Sequence, residues 1–430
     1  MSNKSAFSSK IGLVLAAAGS AIGLGNIWKF PYVAGENGGG AFLIVYILCA
    51  VLFGLPLVVT EFYIGKRSGK SPFGAFRALS GTGRWQWLSW LCLVTSIIFL
   101  GFYFVPTGWC FEYLTESIFH TFQGMESSAL QAHFGEVTNN IPRMLFFGLL
   151  PLFLSAFVVW FDVNEGIERI SKILMPLLLV LMVVMLVHVL LLDGSDVGLR
   201  FFFHTDFSAI TPMVFLKALG QCFFSLSVGI GTVITIGSYM PQTQKIGTTS
   251  VQVLVLDTLV AVMAGLIIFP AVFAFGCNPA EGPELVFVVL PAVLEQMSFS
   301  WLSSVLFFGL LCIAALTSTI SILEMCIAFL IEATAKTSHP LNRHQSVLIN
   351  TAMITVLVVV CVLSGKVFTL FDAAITNLLM PLGAFAMSVF VGWSMPISRK
   401  TPAMSAYIFL MRFIVPAGIF IILLNGLGVF

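Results

Sequence analysis

The 430-residue chain reads as an all-α membrane protein of about 11 transmembrane helices, and three features lead there. First, 59% of its residues are hydrophobic and 9% are charged, against about 25% charged in soluble domains. Second, its mean hydropathy is +1.04. Third, its polar residues are gathered into breaks between long apolar runs, so lipid rather than water must solvate most of its surface. The net charge of +1 supplies no basic field, and no nucleic-acid partner is expected. The eight Cys lie mostly inside apolar runs without ligand spacing and read as small packing residues.

The runs fall near 11–35, 40–65, 87–118, 142–161, 166–192, 211–239, 247–276, 299–332, 345–364, 369–397 and 403–428. Each is about 20 residues or longer, enough to cross a hydrocarbon core as a helix. The first carries small residues at Ala16–Ala18 and Ser20–Ala21, as a cleavable leader does, but it continues through glycines into further spans. With the amino terminus inside, Lys4, Lys10, Lys66, Arg67, Lys70, Arg77, Arg84, Arg169, Lys172, Lys245, Lys336, Arg343, Arg399 and Lys400 all face the cytoplasm. The opposite side holds only Lys29, Arg143, Arg200, Lys217 and Lys366. The positive-inside rule therefore predicts a cytoplasmic N-terminus, and an odd span count places the C-terminus outside; the membrane expected is the cell's inner (plasma) membrane. Outer loops 119–141, 193–210 and 277–298 are long enough for short helices or a lid.

Two spans carry what an ordinary membrane helix avoids. Residues 19–26, Gly-Ser-Ala-Ile-Gly-Leu-Gly-Asn, and 225–232, Ser-Leu-Ser-Val-Gly-Ile-Gly-Thr, put glycines and small polar residues at mid-membrane. Helix propensity is poor there, and backbone freed in lipid must line a cavity. The two pieces also match each other five helices apart, which points to two inverted five-helix repeats with broken helices 1 and 6 and a midplane binding site. Helix packing through Gly19 and Gly23 would explain the glycines but not the adjoining hydroxyls and Asn26. The organisation expected is a cytoplasmic segment (1–10), a first repeat (11–192), an extracellular loop (193–210), a second inverted repeat (211–397) and an additional helix (403–428).

The stretches AGSAIGLGNIWKFPYVAGENGGGAF (18–42), GIERISKILMP (166–176), GQCFFSLSVGIG (220–231), AGLIIFPAVFAFG (264–276) and ALTSTISILE (315–324) resemble the neurotransmitter:sodium symporter family, in its prokaryotic amino-acid branch with the leucine-transporter fold. The family usually has 12 spans; about 11 are expected here, as in some bacterial members, and the oligomeric state is left unassigned.

The resemblance implies two sodium sites. Site 1 would use Ala21, Asn26, Ser225 and Asp257, and site 2 would use Gly19, Ile22, Ala314, Thr317 and Ser318. Sodium is a hard cation, and carbonyls with hydroxyls suit it. By residue type alone, Thr317 and Ser318 could instead bond their own preceding turn. Asp257, alone in an apolar helix, is a functional residue by default, for sodium or for a proton pathway. In chloride-dependent relatives an anion sits near the positions matching Tyr46, Gln221, Ser225 and Ala261. Ala261 offers no hydroxyl and Asp257 supplies a fixed negative charge, so no chloride requirement is expected.

The implied substrate pocket is Ser20, Ala21, Leu24, Gly25, Phe99, Tyr103, Phe224, Ser225, Ser227, Ile230, Ser318 and Ile322. Amides of Leu24 and Gly25 at a helix start, with the Tyr103 hydroxyl, suit a carboxylate. Phe99, Ile230 and Ile322 make an apolar subpocket, although Phe99 and Ile322 alone would pass as core. Monoamine-carrying relatives have an Asp where this chain has Gly23, so a zwitterion is expected. The implied gates are Lys29 and Asp372 with Phe224 outside, and Lys4 and Glu332 inside. Without the family these charges read as interfacial anchors. Lys29 stands where the family usually has Arg, which removes a bidentate bridge to Asp372. The roles of Glu61 and Glu324 stay open.

The expected function is sodium-coupled symport of a neutral, hydrophobic L-amino acid by alternating access, without enzyme activity. A proton-coupled carrier of the same fold is the alternative, and an ion channel a more distant one. The partners are the amino acid, sodium and the bilayer.

Overall fold

A computed structural model describes residues 6–81, 83–279, 284–395 and 401–427. Among the described residues, nine helices are long and apolar enough to cross a membrane. They are Gly40–Ser68, Gly83–Ile118, Ile141–Trp160, Asn164–Leu190, Ile246–Ala274, Ser300–Thr334, Arg343–Leu363, Gly365–Ser394 and Met404–Gly426. A tenth crossing is a pair, Lys10–Ala21 and Gly25–Glu36, bent by 52° at the break between them. Apolar side chains such as Phe146, Val180 and Val356 are exposed on outer faces, as a lipid-solvated surface requires.

The bent pair follows from local chemistry. Ser9 caps the first half by accepting from the Gly12 amide at 3.0 Å. At Ile22 the backbone turns extended (φ −71°, ψ 110°), and the helix resumes at Gly25 with a π-helical turn in which the Phe30 amide reaches the Gly25 carbonyl. The run expected at 211–239 is likewise interrupted, into Pro212–Ser225 and Thr232–Ser238. Between them Ser227, Gly229 and Gly231 have φ of 50°, 90° and 83°. Left-handed residues this closely spaced cannot continue a right-handed helix.

Both breaks are buried at the centre. Lys10–Ala21 packs against Arg169–Leu190, Ile246–Ala274 and Ser300–Thr334, while Thr232–Ser238 lies along Leu55–Ser68. Of the three loops expected outside, the first two form the short helices Ser127–Asn139 and Ser195–Phe203, and the third contains Leu285–Gln296.

Candidate functional site

One carboxylate gathers the ends of both breaks. Asp257 is fully buried, on the Ile246–Ala274 helix. Its oxygens accept from the Ser225 hydroxyl at 2.9 and 3.0 Å, the Asn26 amide nitrogen at 2.8 Å and the Tyr46 hydroxyl at 3.2 Å. Asn26 also donates to the Asp257 carbonyl at 3.0 Å, and its side-chain oxygen accepts from the Gly23 amide at 3.1 Å. Three of the four residues expected at the first sodium site thus converge. The fourth, Ala21, is buried at the end of the first half-helix. The Ser225 and Tyr46 hydroxyls beside this buried carboxylate are oxygen donors that suit a hard cation, while Asn26 turns its amide nitrogen to Asp257 and its oxygen to the Gly23 amide.

The second expected group is brought together through Ser318. Its hydroxyl lies 3.3, 3.4 and 3.1 Å from the carbonyls of Gly19, Ser20 and Ile22. Thr317 does something different: its hydroxyl donates to Ile313 and Ala314 carbonyls at 3.1 and 3.0 Å, within its own helix. It still borders Gly19, where an added Cβ would come 3.2 Å from the Thr317 Cβ.

Around the unwound residues lie the expected substrate contacts. The Leu24 amide donates to the Tyr103 hydroxyl at 2.9 Å. Phe99 stacks on Tyr103 with ring centroids 4.9 Å apart and lies 5.8 Å from Phe224. Ser227 donates to the Ser20 carbonyl at 3.1 Å, and the Ile230 carbonyl accepts from Ser96 at 3.3 Å. The Gly25 carbonyl accepts from Gln221 at 2.6 Å. The Ser20 hydroxyl is fully buried with no hydrogen-bond partner. Ile322 is buried as well, on the Ser300–Thr334 helix. A Cβ at Gly23 would stand 2.6 Å from the Ser318 hydroxyl and 2.8 Å from that of Tyr103, so no acidic side chain fits there without movement.

Above this region opens a cavity of about 610 Å3 whose lining includes Trp28, Lys29, Tyr103, Trp109, Phe224 and Asp372. Lys29 lies 4.1 Å over the Phe224 ring and donates to Thr376 at 3.3 Å; Thr376 in turn donates to Asp372 at 3.3 Å. Lys29 and Asp372 are therefore linked through a threonine hydroxyl, a connection that the resemblance did not indicate. At the other end Glu332 accepts from the Ser71 amide and hydroxyl at 2.9 and 2.8 Å, while Lys4 lies outside the described residues.

The structure also assigns partners to the two remaining carboxylates. Glu61 accepts from the Gly229 amide at 2.7 Å and so caps the second break. Glu324 pairs with Arg343, at 2.6 Å in the closer contact, and accepts from Tyr239 at 2.8 Å. A carboxylate in the apolar run Leu55–Ile64 was the available signal for Glu61. Thr376, a neutral residue in a helix, offered none.

A profile described as the Sodium:neurotransmitter symporter family matches residues 4–131 and 125–410. The chain is 37% identical, over 98% of each sequence, to an uncharacterized sodium-dependent transporter, YhdH, of Bacillus subtilis. It is 30% identical, again over 98% of each, to an uncharacterized sodium-dependent transporter of Haemophilus influenzae. The crystal structure of MhsT in complex with L-phenylalanine superposes with a TM-score of 0.89 at 35% identity, covering 99% of this chain and 100% of that one.

Proposed function

This chain belongs to the sodium:neurotransmitter symporter family and is a multi-pass, sodium-dependent transporter, not an enzyme; from that premise we propose that it couples inward sodium flow to uptake of a neutral, apolar L-amino acid. The observation that carries this reading is the buried Asp257 carboxylate, ringed by Asn26, Ser225 and Tyr46 at the meeting of the two breaks. A compensating cation favours a carboxylate that deep, and sodium beside it would in turn hold a substrate carboxylate.

In this reading Ala21, Asn26, Ser225 and Asp257 hold one sodium, and Gly19, Ile22, Ala314, Thr317 and Ser318 a second. The amides at Leu24 and Gly25 and the Tyr103 hydroxyl hold the substrate carboxylate at the positive end of the outer half-helix. Break carbonyls and Ser227 accept from the ammonium. Phe99, Ile230 and Ile322 surround an apolar side chain. The crowding of Gly23 by Ser318 and Tyr103 supports a substrate that brings its own carboxylate. The phenylalanine bound by MhsT, a 35% identical neighbour, supports an amino acid as cargo.

Asp257 stands in for chloride, and transport needs none. Phe224 with the Lys29, Thr376 and Asp372 chain closes the outer path, and Lys4 with Glu332 the inner one. The two breaks sit in inverted repeats of an 11-span chain with its N-terminus in the cytoplasm and its C-terminus outside, and one helix bundle rocks about the site.

The test is uptake into proteoliposomes with an inward sodium gradient, screening the 20 amino acids and then repeating with Asp257→Ala and Thr317→Ala. Saturable uptake that vanishes when choline replaces sodium supports the reading. Uptake that survives choline and follows a proton gradient replaces it with the proton-coupled alternative.

A further inference from the structure

Where the base of the Lys10–Ala21 half-helix meets the start of Ile246–Ala274, two depressions adjoin and share Lys10. One, of about 320 Å3, is lined by Lys10, Lys245, Thr248 and Thr249 among others. The second, of about 220 Å3, runs along Ile11, Val14, Leu15 and Gln252. We propose that together they bind one anionic phospholipid, its phosphate in the first depression and an acyl chain along the second.

The polar half has the chemistry of an anion site. It sits at the amino end of a 29-residue helix that no side chain caps, so free amides and the positive end of the helix dipole face it. Lys10 and Lys245 are exposed beside it, neither paired with a carboxylate among the described residues. Independent of both, Thr249 is fully buried, lines this depression, and its hydroxyl has no hydrogen-bond partner. A helical threonine ordinarily spends that proton on its own preceding turn. The Thr249 hydroxyl is left to serve an acceptor entering from outside the protein.

The apolar half separates a lipid from a free anion. Ile11, Val251 and Val255 are 67%, 46% and 56% exposed on the membrane-facing side of the same two helices. Gln252, which lines the second depression, stands one turn beyond Thr248 and Thr249 with a buried side-chain oxygen that lacks a partner. Polar at the phosphate level and apolar deeper, this sequence of surfaces follows a phospholipid from headgroup to chain. The loop carrying Lys245 is held in place by Lys66, which donates to the Gln242 and Gln244 carbonyls at 3.1 and 2.5 Å. A bound lipid would bridge the first half-helix to the helix that carries Asp257. This effect on transport, unlike the binding itself, rests on the alternating-access reading.

The experiment uses the full chain in phosphatidylcholine nanodiscs with phosphatidylglycerol titrated in, counting retained lipid by native mass spectrometry. Phosphatidylglycerol should be retained in preference, and Lys10→Gln with Lys245→Gln should cut the preference by about fivefold per lysine. Thr249→Val should lower it further. Arg77→Gln with Lys336→Gln, which removes the same charge elsewhere, should leave it unchanged. Lys245→Glu, in an exposed loop, repeats the test if Lys10→Gln does not fold. Equal loss in both double variants would reduce the effect to diffuse surface attraction and overturn the site. Displacement of the lipid by millimolar inorganic phosphate would overturn it in favour of a simple anion site. Retention is read without sodium or amino acid, so its failure and failure of the transport reading are separate results.

Discussion

The Ser225 hydroxyl donates to both oxygens of the Asp257 carboxylate, at 2.9 and 3.0 Å, which ties the second broken helix to the helix after it through one buried charge. Asn26 and Tyr46 complete the ring from the first broken helix and its successor. Four helices thus meet at one buried carboxyl group.

Replacing Asp257 by Asn keeps the shape and removes the charge. Sodium affinity should fall by about tenfold or more, corresponding to at least about 1.4 kcal/mol of lost ion pairing. Sodium-dependent binding to the purified variant measures it; unchanged affinity would remove Asp257 from the ion site. In the parent protein, exchanging chloride for gluconate should leave uptake unaltered.

Gly23 faces two hydroxyl oxygens that an added Cβ would approach to 2.6 and 2.8 Å. Overpacking of this kind costs about 1–3 kcal/mol. Gly23→Ala should therefore lower amino-acid uptake about tenfold. Gly309→Ala, where nothing lies within 4 Å, should transport like the parent. Comparable activity of the two variants would show that Gly23 does not shape the site.

Thr376 stands between Lys29 and Asp372, accepting from one and donating to the other. Thr376→Val and Lys29→Met should speed substrate escape to the outside. The double variant should be less than additive, with a coupling of about 0.5 kcal/mol or more. Strict additivity in a dissociation assay would mean the relay does not act as a unit.

Glu61 supplies the acceptor for the Gly229 amide, in a stretch with no helix to satisfy it. Glu61→Leu should destabilise the protein by about 1–3 kcal/mol, the cost of leaving a buried amide without an acceptor, and Glu61→Gln by less. Thermal unfolding in detergent distinguishes the two, and a Leu variant as stable as the parent would contradict the capping role.

His133, on the short Ser127–Asn139 helix, contacts the Glu116 carboxylate at 2.9 Å. That hydrogen bond raises the imidazole above its ordinary value of 6.5. A raised folded-state value means that the contribution to stability is fully present below pH 6.5 and is lost as pH climbs through the raised value. Melting temperature should fall over that interval in the parent, and the decrease should shrink in His133→Gln. An identical pH profile in the variant would assign the dependence to other groups.

Much of the fold was legible because its signals are local. Apolar runs of sufficient length located the nine long helices to within a few residues. Glycines with hydroxyls at 19–26 and 225–232 marked both breaks, since poor helix formers at mid-membrane act where they stand. Asp257 stood out for the same reason, as a charge in an apolar helix.

What the chain order determined by itself was therefore where helices run, where they fail and which residue types are present at the failures. Tertiary packing decided who meets whom. Asn26 reaches Asp257 across 231 positions, and Thr376 enters between Lys29 and Asp372. Thr317 bonds to its own helix while its neighbour Ser318 faces the first break. Periodicity and hydropathy describe each helix against lipid, whereas these partnerships arise from how separate helices are rotated and pressed together.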